Sequence, residues 1–214
     1  MLCSGCSETV TPIVVWDIDG TLGAYHWAFT EFVRRYWNVN INPHTDPWDG
    51  EGEFEDYLGL SKTHYRQAKL AYRLGGNKRW LPIYMDAYEA MDRSKRAGAE
   101  IWITTTRPWQ RLDNIDPDTR FWLERHGLPY DHMLYDEDKL QKIVDQVDPT
   151  RIVAVIDDLP EQYDRAIELG LPVMQRSNDH NQHPSKNRPV SATLARCGVW
   201  ARQEVFNWKR SHCR

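Results

Sequence analysis

The run Pro12-Ile13-Val14-Val15-Trp16 leads without a break into Asp17-Ile18-Asp19-Gly20-Thr21, and no other stretch constrains the fold as much. A short β-rich apolar run ending in polar residues and a glycine reads as a buried strand that stops abruptly and delivers side chains into a crevice. Asp17 and Asp19 are two apart, so in extended geometry they point the same way, while Gly20 lets the chain turn tightly behind them. Carboxylates placed together are costly unless a cation or a shared proton offsets them. The pair therefore asks for a hard metal ion such as Mg²⁺.

Downstream, Tyr25 to Trp37 carries Trp27, Phe29, Phe32, Val33, Tyr36 and Trp37 at near-helical spacing and predicts an aromatic-rich helix. Residues 38–59 are rich in Pro, Gly, Asp and Glu and read as a long loop. Ser61 offers an N-cap, and Gly75-Gly76 closes a second helix ending at Leu74. A third helix, from about Ile83 to Ala97, stops at Gly98. From Ile101 onward short apolar runs alternate with helical segments, the rhythm of a parallel sheet covered by helices. Strands are expected at Ile101–Thr104, His132–Tyr135, Arg151–Ile156 and Pro172–Gln175. Helices are expected up to His126, capped by Asp116 or Asp118, and over Glu137–Val147 and Glu161–Leu169, with a short one near Trp200–Trp208. Such sheets bind ligands at the carboxyl ends of their strands.

The resulting architecture is α/β, a Rossmann-like parallel sheet with helices on both faces and a small helical cap inserted after the first strand. Residues 1–11 form a flexible N-terminus, 12–22 and 98–176 the core, 23–97 the insertion, and 177–214 a polar loop with a short helix. At 214 residues there is room for one core and an accessory lobe. With 41% hydrophobic and 27% charged residues, no run approaches membrane-spanning length. The first residues carry no basic-then-apolar signal, so a cytoplasmic setting is expected. Cys3 and Cys6 have the spacing of half a zinc site, which Cys197, Cys213, His180, His183 or His212 could complete if the termini met; reduced, unliganded thiols are the default. The formal charge of −4 is unevenly spread: residues 43–60 hold six acids and no Lys or Arg, and the last thirty residues hold seven Lys and Arg against Glu204.

Three strand ends and one helix supply a set that chemistry would need jointly. These are Asp17 and Asp19, then Thr104-Thr105-Thr106-Arg107, then Lys139, then Asp157 and Asp158. In order and placement they resemble the four motifs of the haloacid dehalogenase superfamily of phosphohydrolases, across most of residues 12–175. The resemblance implies that Asp17 is a nucleophile forming an aspartyl phosphate, and that Asp19 is the acid and base, its backbone carbonyl helping to hold Mg²⁺. It further implies that the Thr105 hydroxyl bonds a phosphoryl oxygen and that Lys139, with Lys142 as alternative, neutralises the nucleophile. Asp158 would meet the metal, with Asp157 behind or beside it. Gly20, Thr21, Thr106, Arg107 and Trp27 complete the expected substrate contacts.

Roughly eighty residues separate the first two motifs, where the family carries a helical cap that excludes water. The cap length, the Trp-rich helix after motif one, residues 121–126 and the Asp138-Lys139 pair look most like the 5′(3′)-deoxyribonucleotidase branch. That resemblance implies a nucleoside monophosphate substrate, with Trp27, Phe29, Trp48, Tyr65 or Trp80 offering a surface for the base. A polynucleotide 3′-phosphatase is the alternative, motivated by the basic tail and its Trp200, Phe206 and Trp208, though the acidic cap loop counts against it. A nucleotide-sensing module without turnover is the third reading.

Overall fold

Ile13–Trp16 forms β1, the central strand, and all four of its residues are buried. In the computed structural model, which describes residues 10–50, 52–178, 181 and 192–212, four further strands flank it. They are β2 (Glu100–Thr105), β3 (His132–Tyr135), β4 (Ile152–Asp157) and β5 (Val173–Gln175). The order is β3-β2-β1-β4-β5 and every pairing is parallel, with Val15 opposite Trp102 on one side and Val155 on the other. Strands buried on both faces read as continuous apolar runs, which is why β1 and β4 were legible from sequence.

Alternate residues of the sheet feed two cores. Val14, Trp16, Ile101, Ile103 and Ile156 pack against α4 (Ala87–Arg96), α5 (Ile115–Arg125) and α8 (Leu194–His212). Ile13, Val15, Trp102 and Val155 pack against α6 (Lys139–Val144) and α7 (Pro160–Glu168). Helices therefore cover both faces, as expected. A third cluster lies in the insertion, where α1 (Tyr25–Tyr36), α2 (Phe54–Tyr57) and α3 (Lys62–Leu74) bury Phe29, Val33, Phe54, Leu58, Ala68 and Tyr72 together. Ser61 caps α3, its Oγ accepting from the His64 amide at 3.3 Å.

Three segments differ from the sequence reading. The insertion leaves and re-enters the core through a paired neck: the Ala24 amide donates to the Pro82 carbonyl at 2.8 Å and the Tyr84 amide to that of Leu22 at 2.9 Å. Helix α4, grouped with the insertion over 23–97 on sequence grounds, lies beyond this neck and packs on the sheet, where Ala87, Ala90 and Met91 join the core cluster of Ile101 and Ile103. The short terminal helix is a 19-residue helix, α8, whose Cys197, Ala201, Val205 and Trp208 are buried. Gly198 lets it approach α4 closely: a Cβ there would stand 2.5 Å from the Ala90 Cα. The long loop over 38–59 also contains the short α2.

The N-terminal segment with Cys3 and Cys6, along with Cys213, His180 and His183, lies outside the described residues; Cys197 is buried and His212 stacks on Trp208 at 4.2 Å. Among the described residues, no helix is long and apolar enough to cross a membrane.

Candidate active site

The parallel arrangement brings the ends of β1, β2 and β4 to one edge, and the predicted acidic residues meet there. Asp17 follows β1, its amide donating to the Ile156 carbonyl at 3.0 Å. Ligand atoms of Asp17, Asp157 and Asp158 lie within 4.8 Å of one another, and all three residues are buried. Lys139, the first residue of α6, is 1% exposed and bridges two of them: its Nζ is 2.5 Å from Asp17 Oδ1 and 2.6 Å from Asp157 Oδ2. Asp138 positions it by capping the helix, accepting from the Gln141 amide at 3.3 Å.

The electrostatics match this crowding. Burial, helped by repulsion from Asp157 and Asp158, pushes the Asp17 carboxyl up to about 8 against the pull of Lys139. Burial raises Asp157 as well, opposed by Lys139 and reinforced by Asp158. Although burial penalises its charge, the Lys139 ammonium is held above its ordinary value by Asp157 and Asp17. Three hard-oxygen donors that repel one another in a buried site fit a divalent cation such as Mg²⁺.

The turn after β1 is built around this cluster. Gly20 has φ +99°, and a Cβ on it would lie 2.1 Å from Asp158 Oδ2, so only glycine fits. Thr21 donates from Oγ1 to Asp158 Oδ1 at 3.0 Å. The Asp158 carbonyl accepts from Gln175 Nε2 at 3.0 Å and from Asn181 Nδ2 at 2.7 Å, and Asn178 donates to the Gly20 carbonyl. In the sequence Asn178 and Asn181 fall in a polar loop, where asparagines after a strand resemble ordinary turn residues.

The Asp19 side chain takes a separate position. Its carboxylate turns to Arg107, which donates from Nε at 3.0 Å and from Nη2 at 2.6 Å, and to Lys78 Nζ at 2.5 Å. Burial opposes the charge, yet Arg107 and Lys78 hold this carboxyl far below the usual range. Burial in turn draws the Lys78 ammonium down to about 7 despite Asp19, with Arg107 adding to the effect. Lys78 sits on the 3₁₀ turn Asn77–Trp80, 3% exposed, over the Tyr25 ring at 3.7 Å from its centroid. Nothing in the sequence marks this lysine: it sits in a basic, turn-forming stretch that reads as solvated surface.

The remaining predicted residues are distributed more widely. Thr104 and Thr105 are both buried at the end of β2; Thr105 Oγ1 accepts from the Arg107 amide at 3.3 Å and the Thr104 carbonyl lies 3.5 Å from Lys139 Nζ. Thr106 is exposed and lines a cleft of about 330 Å³ with Arg107, Trp109, Arg111 and Tyr135. Trp27 packs edge-on against His44, their centroids 5.2 Å apart, and lines a different cleft with the 38–44 loop. Phe29 is fully buried, and Trp48 packs on Phe54 inside the insertion. Phe29, Trp48 and Tyr65 belong to the insertion's core cluster, whereas Trp27 lies outside it and Trp80 is exposed. The aromatic surface beside Arg107 comes instead from Trp109 and Tyr135, with centroids 5.8 Å apart.

No protein-family model and no curated protein sequence matches the chain at a significant level. Solved structures do. A haloacid dehalogenase-like hydrolase from Bacteroides fragilis superposes with a TM-score of 0.59 at 15% identity, over 87% of this chain and 99% of the other. The fold is the haloacid dehalogenase fold. CbbY from Rhodobacter sphaeroides, solved with phosphate, gives 0.54 at 16% identity over 86% and 95% of the two chains. A hydrolase of the same family name from Deinococcus radiodurans, with bound phosphate and sodium, gives 0.54 at 15% over 89% and 90%. In the haloacid dehalogenase fold of this chain, the acidic trio and Lys139 occupy the carboxyl edge of the sheet, where open α/β sheets bind ligands.

Proposed function

We propose that this protein is a divalent-metal-dependent phosphomonoesterase working through an aspartyl phosphate on Asp17. The observation that carries this reading is Lys139, lodged between Asp17 and Asp157 beside Asp158. A buried ammonium on one oxygen of Asp17 restrains and orients that carboxylate, leaving the other for attack. Asp17, Asp157 and Asp158 would hold Mg²⁺, which when bound neutralises the carboxylates and the phosphate charge.

In the first step an Asp17 oxygen forms a bond to phosphorus, the ester P–O bond breaks, and the departing alkoxide takes a proton from Asp19. Water then attacks the phosphoryl group, giving its proton to Asp19 and releasing phosphate and free Asp17. Asp19 is ionised while Arg107 and Lys78 both contact it. An incoming phosphate competes for those two cations, and as they turn to it the Asp19 carboxyl rises toward the range in which it can carry a proton.

A nucleotide is the substrate class that the surroundings support. The cleft beside Arg107 offers Trp109 and Tyr135 to a planar base, with Arg111 and Glu137 at its edge. The test is phosphate release, with and without Mg²⁺, from ribo- and deoxyribonucleoside 5′- and 3′-monophosphates and from p-nitrophenyl phosphate. Asp17→Asn protein serves as the blank. Metal-dependent release that the substitution abolishes is the expected result; saturable nucleotide binding with no release from any ester would instead identify a sensing module.

A further inference from the structure

Lys62, Arg66, Lys69 and Arg73 recur along α3 at intervals of four, three and four residues, which places all four cations on one face. Among the described residues no ion pair involves any of them, whereas Arg93, Arg96, Arg120 and Arg165 all pair with acids on their own helices. Their exposure falls along the helix: Lys62 and Arg66 are exposed, and Lys69 and Arg73 are half-buried. Beyond Gly75-Gly76 the series ends at buried Lys78, which contacts Asp19. The field is continuous, since Asp19 acts on Lys69 and Arg73 acts on Lys78.

From Lys62 to Arg73 the axis runs about 16 Å, longer than one phosphate can span. Tyr65 lies beneath Lys69, 4.8 Å from ring centroid to Nζ, in a cleft of about 350 Å³ lined also by Lys62, Arg66, Arg73 and Glu55. Like charges held on one face repel, and an extended anion removes that repulsion; alternating cations and an aromatic ring suit a sugar-phosphate chain.

We propose that α3 is a track for the phosphodiester backbone of a single-stranded nucleic acid whose terminal phosphate is the one hydrolysed at Asp17. The proposal rests on the phosphomonoesterase reading, with the mononucleotide as its minimal substrate. The C-terminal helix, which sequence alone favoured for this role, has Trp208 buried against the core and bonded through Nε1 to the Thr150 carbonyl at 2.9 Å.

The experiment compares kcat/KM for 3′- and 5′-phosphorylated oligonucleotides with that for the matching mononucleotides over a range of salt. One oligonucleotide should exceed its mononucleotide by about tenfold or more, with a log–log salt slope of about −0.7 for each phosphate engaged. The double variant Lys62→Glu/Arg66→Glu should bring the ratio of oligonucleotide to mononucleotide kcat/KM toward one. Equal kcat/KM, or a flat salt response, overturns the track. If p-nitrophenyl phosphate and every other ester are left intact, the phosphomonoesterase reading fails instead. The track is then read by fluorescence anisotropy of a labelled phosphorylated oligonucleotide: binding weakened about tenfold in the double variant supports it, and absent binding, or binding only to acidic vesicles, overturns it.

Discussion

Lys78 Nζ lies 2.5 Å from Asp19 Oδ2, an ion pair that joins the insertion to the loop after the central strand. Arg107 reaches the same carboxylate from the end of β2, so three elements meet on one side chain.

Replacing Lys78 by Met separates the roles of these cations. Asp19 keeps its bidentate bond to Arg107, and the fold should lose only about 1–2 kcal/mol. Turnover should suffer more, with kcat/KM down by about ten- to a hundredfold because the incoming phosphate loses one of its two cations, and the alkaline limb of the pH profile should move upward because Asp19, the proton donor, loses one of the charges that hold it ionised. Thermal unfolding and a pH–rate profile on the same preparation check both parts.

Metal-free protein should become less stable as pH rises. The folded Asp17 carboxyl titrates near 8 and the unfolded one near the ordinary 3.8. Between those values the native state holds the extra proton, so the Asp17 contribution to unfolding free energy falls with pH across that window; above about 7 the depressed Lys78 ammonium works in the opposite sense. Mg²⁺ should offset the loss, raising Tm more at pH 8 than at pH 5. Calorimetry in EDTA and in Mg²⁺ at several pH values tests the sign; a Mg²⁺ effect that shrinks with rising pH would contradict it.

Gly20→Ala should damage the metal site selectively. The added Cβ meets Asp158 Oδ2 and the backbone φ of +99° is strained for alanine. Mg²⁺ affinity measured by calorimetric titration should fall at least about tenfold, and turnover with it.

Gly198→Ala probes the C-terminal helix. Its Cβ would press on the Ala90 backbone, and separating α8 from α4 should cost about 1–3 kcal/mol. A Tm that does not move would mean that α8 is not part of the core.

How much was legible follows from what each residue depends on. Asp17, Asp157 and Asp158 were readable because each follows a strongly apolar strand, and a parallel sheet brings such ends to one edge. Lys139 came with the family pattern. Lys78 was invisible: its partner lies 59 residues away and the rings it packs against, Tyr25 and Tyr72, come from two other helices, α1 and α3. The sequence places only a short helix near Trp200–Trp208, whereas α8 begins at Leu194; Gly198 is a contact point within it, and the stripe Leu194, Cys197, Ala201, Val205 and Trp208 runs through it. The aromatic residues of the insertion suggested a surface for a base because sequence cannot distinguish a ring that lines a lobe's own core from one that faces a cleft.

The insertion is tethered by two chain crossings set side by side at Leu22–Ala24 and Pro82–Tyr84. A body hung from a double thread turns about that line more readily than it bends, and Lys78 stands a few residues from the fulcrum. Swinging the lobe outward would lift Lys78 from Asp19 in the same stroke. In the proposed reaction, admission of substrate and release of the Asp19 carboxyl would thereby be coupled by leverage.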